Sequence, residues 1–116
     1  MGIKIGTDIV SIKRIEASYE KFGKKFLDRF LNENEQKIAN KIETIAGFWA
    51  AKEAISKALE TGIGKELGFL DIEILKKSNN VPYFLIKDKN FNIIDSSISI
   101  SHDNNFAIAV AVIVIK

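Results

Sequence analysis

Apolar positions recur at helical spacing along the first half of the chain and alternate along the second half. Ile3 to Val10 reads as a strand, with Ile3 and Ile5 pointing one way and Lys4, Gly6 and Asp8 the other. Gly6 removes bulk two residues before the acid, as expected where something must approach the backbone. Ser11 is placed to cap a helix whose apolar stripe is Ile12, Ile15, Tyr19 and Phe22, and Gly23 suits its stop. A short second helix turns Phe26, Leu27, Phe30 and Leu31 inward. Asn32 with Glu35 has the spacing of a capping box and opens a third helical piece, roughly Glu33 to Lys41.

The longest helical pattern runs from Ala46 to Gly64, AGFWAAKEAISKALETGIG. At about 100° per residue, Phe48, Ala51, Ile55, Ala58 and Leu59 share one apolar arc. Trp49, Lys52, Glu53, Ser56, Lys57 and Glu60 share the opposite one. Gly47, Ala50 and Ala54 form a flank with almost no side chain, so another backbone is expected to pack closely there. The helix is therefore central, and Glu53 and Lys57 stand side by side on its polar face.

Beyond Gly64 the period shortens to two. Leu70 to Ile74 alternates as a strand, Ser78-Asn79-Asn80 forms a turn, and Pro82 to Ile86 continues as a second strand. Ser97 to Ser101 alternates strictly, and His102 to Asn105 turns the chain. Phe106 to Ile115 is apolar on both faces, unusual for an antiparallel strand in so small a domain. The central helix is expected to cover one face and a neighbouring subunit part of the other. The class is α+β: an N-terminal strand and helices, then a long central helix packed on an antiparallel sheet. No linker or repeat interrupts the pattern, so residues 1–116 are expected to form one domain.

Composition narrows the function classes. No run approaches the ~18 apolar residues of a membrane span, and there is no cysteine, hence no disulfide or thiolate chemistry. MGIKIGTDIV lacks the regions of a signal peptide, and Gly6 stands where a myristoylation pattern needs Ser or Thr. The chain is expected to be cytosolic. Its formal net charge of +2 is too small to argue for nucleic acid. The excess of base lies between Ser11 and Phe30, where Lys13, Arg14, Lys21, Lys24, Lys25 and Arg29 outnumber Glu16, Glu20 and Asp28.

Three polar features stand at the ends of apolar elements: Asp8, the Glu53/Lys57 pair and His102. Each alone has a commoner structural role, as a cap, a solvated ion pair or an exposed loop side chain. Together, two carboxylates from separate elements make a reasonable magnesium site, since that ion takes one or two carboxylates and completes its shell with water and phosphates. Lys57 adds a cation for charge that grows as a phosphate ester breaks. No strand leads into a Walker-type or dinucleotide glycine loop.

IGTDIV near the start, FWAAKEAISKAL in the central helix, the following TGIG and the terminal SISHDNNFAIAVAV resemble, in order and spacing, the acyl-carrier-protein synthases. These are the small, single-domain 4′-phosphopantetheinyl transferases. The resemblance covers nearly the whole chain and implies their fold. It also implies their reaction: transfer of the phosphopantetheine arm of coenzyme A to a serine of an acyl carrier protein, releasing adenosine 3′,5′-bisphosphate, in fatty acid biosynthesis. By it, Asp8 and Glu53 hold magnesium against the coenzyme A pyrophosphate. Asp8, Glu53, Lys57 and His102 form the catalytic set, and Lys52, Lys57, Gly62, Gly64 and His102 contact coenzyme A. Arg14 falls where the family docks its acidic carrier, and Lys21, Lys24 and Lys25 extend that basic surface. Asp8, Glu53 and a metal-bound water all remain open as acceptor of the serine proton. The small members resemble homotrimers with sites between subunits, which would account for the doubly apolar last strand.

The chain departs from the family pattern in places. Phe48 stands where many relatives have arginine and Trp49 where Phe is usual, so another cation such as Lys52 is expected to hold the coenzyme A phosphate. Glu60 replaces a frequent glycine, and Asn79-Asn80-Val81-Pro82 a Gly-Lys-Pro turn. The competing readings are a nucleic-acid-binding module using the basic helices and a non-catalytic oligomeric scaffold. The first needs a stronger positive face and exposed aromatics for stacking, whereas the aromatics here mostly sit in apolar stripes; the second makes Glu53 and Lys57 a surface pair.

Overall fold

A computed structural model describes all residues, 1–116. Strand β1 (Gly2–Ser11) leads into three short helices, α1 (Ile12–Phe22), α2 (Lys24–Asp28) and α3 (Glu33–Ile38), and then into the long helix α4 (Ile42–Ala58). A 3-10 turn at Phe69–Asp71 precedes β2 (Ile72–Lys76), β3 (Pro82–Ile86), β4 (Ile93–His102) and β5 (Phe106–Ile115). Two antiparallel sheets form: β1-β5-β4, with β5 in the middle, and the separate hairpin β2-β3.

The caps explain the early boundaries. The Ser11 hydroxyl accepts the Arg14 amide at the start of α1, and Gly23, with φ at 59°, closes that helix. The Asn32 side chain accepts the Glu35 amide while Glu35 accepts that of Asn32, a complete capping box.

Several ends differ from the pattern-based expectation. Helix α3 stops at Ile38 instead of Lys41, because Ala39 leaves helical geometry. Helix α4 starts at Ile42, four residues before Ala46, after a Lys41 that makes no side-chain cap and so leaves no cap signature. It ends at Ala58, well short of Gly64. Glu60 and Gly62 take positive φ, and the amides of Thr61 and Gly62 fold back onto the Ser56 carbonyl. Leu70 and Asp71 belong to the 3-10 turn and not to β2, because the Asp71 carboxylate accepts the Gly68 amide and curls the chain.

Helix α4 lies across the sheet, and small residues set the separation. Ala107, Ala109, Ala111 and Ile113 of β5 are buried beneath it. A Cβ on Gly6 would lie 2.0 Å from the Ala54 carbonyl oxygen and 2.6 Å from the Ala58 amide, so β1 and α4 meet backbone to backbone there. One on Gly47 would lie 2.8 Å from an Ile100 methyl group. The small flank expected of this helix is the face it presents to the sheet.

The polar arc expected of α4 is only partly polar surface. Lys52 and Ser56 are fully buried. The Lys52 ammonium donates to the carbonyls of Phe30 (2.6 Å) and Phe69 (3.0 Å) and to Glu35 Oε1 (2.9 Å), and Glu35 Oε2 accepts the Ile74 amide (2.8 Å). One ion pair thus ties α4 to the segment after α2, to α3, the 3-10 turn and β2. Burial pushes the Lys52 ammonium below its ordinary pKa, and Glu35 opposes that shift.

The opposite face of the sheet is bare. Ile3, Ile5 and Ile9 of β1 and Phe106, Ile108 and Val112 of β5 are all exposed there. Their register (Ile5 opposite Val112, Ile9 opposite Ile108) makes them one apolar surface.

Candidate active site

The close approach at Gly6 carries β1 alongside the last turns of α4. Two residues further on the same face of β1, Asp8 meets that helix. Lys57 Nζ donates to Asp8 Oδ1 (2.9 Å) and to the Thr7 carbonyl (3.2 Å). The Asp8 side chain is only 15% exposed and that of Lys57 51%. A pair this open to water is worth at most about 1 kcal/mol; its importance is placement.

Glu53, one turn before Lys57, makes no ion pair. Its carboxyl is held above the ordinary pKa first by burial and then by the charge of Asp8, with Lys57 pulling the other way. The Asp8 charge is therefore close enough to oppose ionisation of Glu53, and the Lys57 ammonium is paired with Asp8.

Asp8 and Glu53 line a cleft of about 330 Å³ whose remaining walls are Ile9, Val10, Arg14, Ile15, Ser18, Phe26 and Trp49. Trp49 is braced by the rings of Phe26, Phe30 and Phe69, with centroids at 6.0, 5.0 and 4.7 Å. One end of the cleft is acidic, one wall is apolar, and Arg14 supplies a rim cation. Asp8 also borders a neighbouring shallow depression with Thr7, Ile9, Lys57 and Ile108, so it forms the saddle between carboxylates and ammonium. Hard oxygen donors on two rigid elements suit a magnesium ion that keeps waters and phosphate oxygens in its remaining positions. No group of three or more acidic, His or Cys side chains is present for a fully protein-ligated metal.

The model of the 4′-phosphopantetheinyl transferase superfamily matches residues 4–111 of this sequence. The chain belongs to that superfamily. It is 58% identical to the holo-[acyl-carrier-protein] synthase of Nautilia profundicola, over 97% of this chain and 99% of that protein. It is 55% identical to the corresponding Nitratiruptor protein, over 95% and 97%. Among solved structures, the Helicobacter pylori holo-[acyl-carrier-protein] synthase in complex with coenzyme A superimposes with a TM-score of 0.91 at 52% identity, covering 95% of this chain and 99% of that one. A Bacillus anthracis holo-(acyl-carrier-protein) synthase in complex with CoA (3′,5′-ADP) gives 0.85 at 40%, covering 97% and 96%. The α+β fold expected from the sequence is the phosphopantetheinyl transferase fold of these neighbours.

Within this transferase fold the expected site residues separate into groups. Asp8, Glu53 and Lys57 come together. His102 does not join them in one chain. It is exposed at the end of β4, beside a pocket bounded by α4 and the β2-β3 hairpin and a shallower one with Ile9 and Ile108. Lys52 is corrected: its ammonium is sealed in the Glu35 knot and cannot replace a surface cation for coenzyme A. Gly62 and Gly64 serve the turn after α4. Their amides already bond to the Ser56 and Leu67 carbonyls, so they are not free donors for a phosphate.

Arg14, Lys21 and Lys25 are exposed and form no ion pair, whereas Lys24 is engaged by Asp28 at 2.8 Å. The basic surface is weaker than a count of charges implies. The pattern did not reveal that Arg14 also lines the carboxylate cleft, nor that Glu35 anchors a buried lysine. The capping box located Glu35, but local spacing does not encode that its Oε1 also accepts from Lys52 or that its Oε2 accepts the Ile74 amide.

Proposed function

We propose that this chain is a holo-[acyl-carrier-protein] synthase: it transfers 4′-phosphopantetheine from coenzyme A to a serine of an apo carrier protein and releases adenosine 3′,5′-bisphosphate. The observation that carries the reading is the convergence of Asp8, Glu53 and Lys57, in a chain that aligns nearly end to end with a coenzyme-bound synthase.

Asp8 and Glu53 are the residues that would hold magnesium, which supplies positive charge to the pyrophosphate when bound. Lys57 sits beside Asp8 on an exposed stem, placed to donate to a phosphate oxygen as negative charge develops there. The serine oxygen attacks the phosphorus bonded to pantetheine, and the bond to the nucleoside bisphosphate breaks. A water hydrogen-bonded to a cleft carboxylate takes the serine proton. Catalysis in such a site is mainly alignment and charge stabilisation.

The exposed face of α1 and α2, with Arg14, Lys21 and Lys25 unpaired, is complementary to an acidic carrier protein. Residues 1–116 act as one domain. The bare apolar face of β1 and β5 supports assembly into a homotrimer, which would border each carboxylate site with a second copy. No helix is long and apolar enough to cross a membrane, and we place the reaction in the cytoplasm, in fatty acid biosynthesis.

The test is mass spectrometry of an apo carrier incubated with coenzyme A, magnesium and this chain. The mass of the full arm appears on the carrier, and Asp8→Ala or Glu53→Ala abolishes it. Wild-type transfer rates in either variant would refute the metal assignment.

A further inference from the structure

Lys52 and Glu35 are fully buried, and neither lines the carboxylate cleft. Their contacts nevertheless reach its Trp49 wall. Trp49 and Lys52 stand three residues apart on α4, so their side chains leave neighbouring positions on one face of the helix. Trp49 packs on the rings of Phe30 and Phe69, whereas the Lys52 ammonium bonds to the carbonyls of those same two residues. Phe30 and Phe69 are thus each held twice by α4, the ring on Trp49 and the carbonyl on Lys52. Phe30 follows α2 and Phe69 opens the 3-10 turn, so no long helix or sheet ladder fixes either backbone. Glu35 fixes the ammonium itself: its Oε1 accepts from Lys52 and from the Asn32 amide, and its Oε2 accepts the Ile74 amide. No buried polar side-chain atom of the chain lacks a partner, so the knot has no slack to take up.

The wall set in this way belongs to one substrate. Trp49 shares its cleft with Arg14 and Ser18 of α1, the helix that carries the unpaired basic side chains. It does not border the depression beside Lys57, where a phosphate would find its cation. Resting on the transferase reading above, we propose that the Lys52–Glu35 pair is a positioning device for the cleft. By fixing the backbone at Phe30 and Phe69, it holds Trp49 as the wall against which the serine-bearing segment of the carrier settles beside Asp8 and Glu53.

Trp49 is the only tryptophan of the chain, so its fluorescence reports the wall directly. The experiment measures Trp49 emission, its quenching by acrylamide, and the KM values for an apo carrier and for coenzyme A. Three variants are compared with wild type. Lys52→Met removes the donor, Glu35→Gln removes the anion and keeps an acceptor for the Asn32 amide, and Phe69→Leu removes one brace and keeps its carbonyl. In each, Trp49 emission moves to longer wavelength, quenching increases, and the carrier KM rises at least about tenfold, the scale of losing a packed aromatic contact at an interface. The KM for coenzyme A stays at its wild-type value. A role confined to stability would act only through the folded fraction, lowering apparent kcat and leaving both KM values and the emission of the folded chain unchanged. That result overturns the proposal, as do equal rises in both KM values. Glu35→Gln and Phe69→Leu decide the matter where Lys52→Met does not fold. If the wild-type chain transfers nothing, the transferase reading falls, and wild-type emission in the folded variants would separately overturn the link from the ion pair to Trp49.

Discussion

Lys57 reaches across 49 residues of sequence to Asp8, at 2.9 Å, and leaves Glu53, its neighbour one helical turn away, without a cationic partner. The i,i+4 pair that the sequence offers is not the pair that forms. Glu53 is thereby a partly buried carboxylate beside another carboxylate, with its pKa raised above the ordinary 4.5. A carboxyl that holds its proton more tightly when folded costs stability as pH rises from the unfolded value to the folded one, and the cost remains above it. Glu53→Gln is therefore more stable than wild type at pH 7 without divalent cations. The gain is at most about 1 kcal/mol, because solvent screens a partly exposed group. It shrinks as pH falls toward 4.5 and vanishes below that. Magnesium stabilises the wild type and not the variant. Thermal melts across pH, with and without magnesium, check both signs; a variant no more stable at pH 7 in chelator would count against the arrangement.

The Lys52–Glu35 knot makes an opposite prediction. Lys52→Met leaves the buried Glu35 side chain without its cation and removes the donor for the Phe30 and Phe69 carbonyls. Breaking a buried pair from one side costs about 3–5 kcal/mol, a large share of the stability of a domain this size. Urea denaturation measures it, and a loss below about 1 kcal/mol would mean that the pair is not sealed as described.

How much of this was legible beforehand depended on how local the cause was. Ser11, Gly23 and the Asn32/Glu35 box act within a few residues, and their spacing revealed them. The apolarity of β5 on both faces was legible too, and strand geometry alone sends Ala107, Ala109, Ala111 and Ile113 to the helix side. Lys52 was misread because a lysine on a helix face is ordinarily solvated, and the groups that pay its desolvation lie at residues 30, 35 and 69. Only the family resemblance joins His102 to the carboxylates, and within one chain the fold holds it beside the hairpin.

Gly6 has no room for a side chain, since any Cβ would collide with the α4 backbone, which cannot swing aside as a flexible side chain would. Gly6→Ala is expected to cost about 3 kcal/mol, the upper part of the range for overpacking. It also levers β1 off the helix and carries Asp8 away from Lys57. Denaturation midpoint and transfer activity should fall together; a variant of unchanged stability would show that β1 and α4 do not meet as described.

Arg14 combines a place in the cleft with an exposed place on α1, and it is in none of the chain's ion pairs. Arg14→Glu should raise the KM for an acidic carrier at least about tenfold, the scale of a like-charge contact at an interface. It should also flatten the dependence of KM on salt, because screening acts on the attraction that has been removed. Titrating the carrier at two ionic strengths separates this from a folding defect. An unchanged salt slope would place the docking surface elsewhere.

The bare face of the sheet yields the last prediction. Ile5 is 70% exposed and Ile9 61% exposed in the single chain, opposite Val112 and Ile108 on β5. At about 25 cal/mol per Å² of apolar surface, covering six such side chains with a second copy is worth several kcal/mol per interface. Little intrachain packing depends on them. Ile5→Lys should therefore leave the fold of the protomer intact, as judged by circular dichroism, while light scattering reports a change from trimer to monomer. Activity should fall with assembly if a second copy completes the site beside Asp8 and Lys57. A monomeric variant that transfers at the wild-type rate would show that one chain suffices, and a variant that remains trimeric would move the interface off this face.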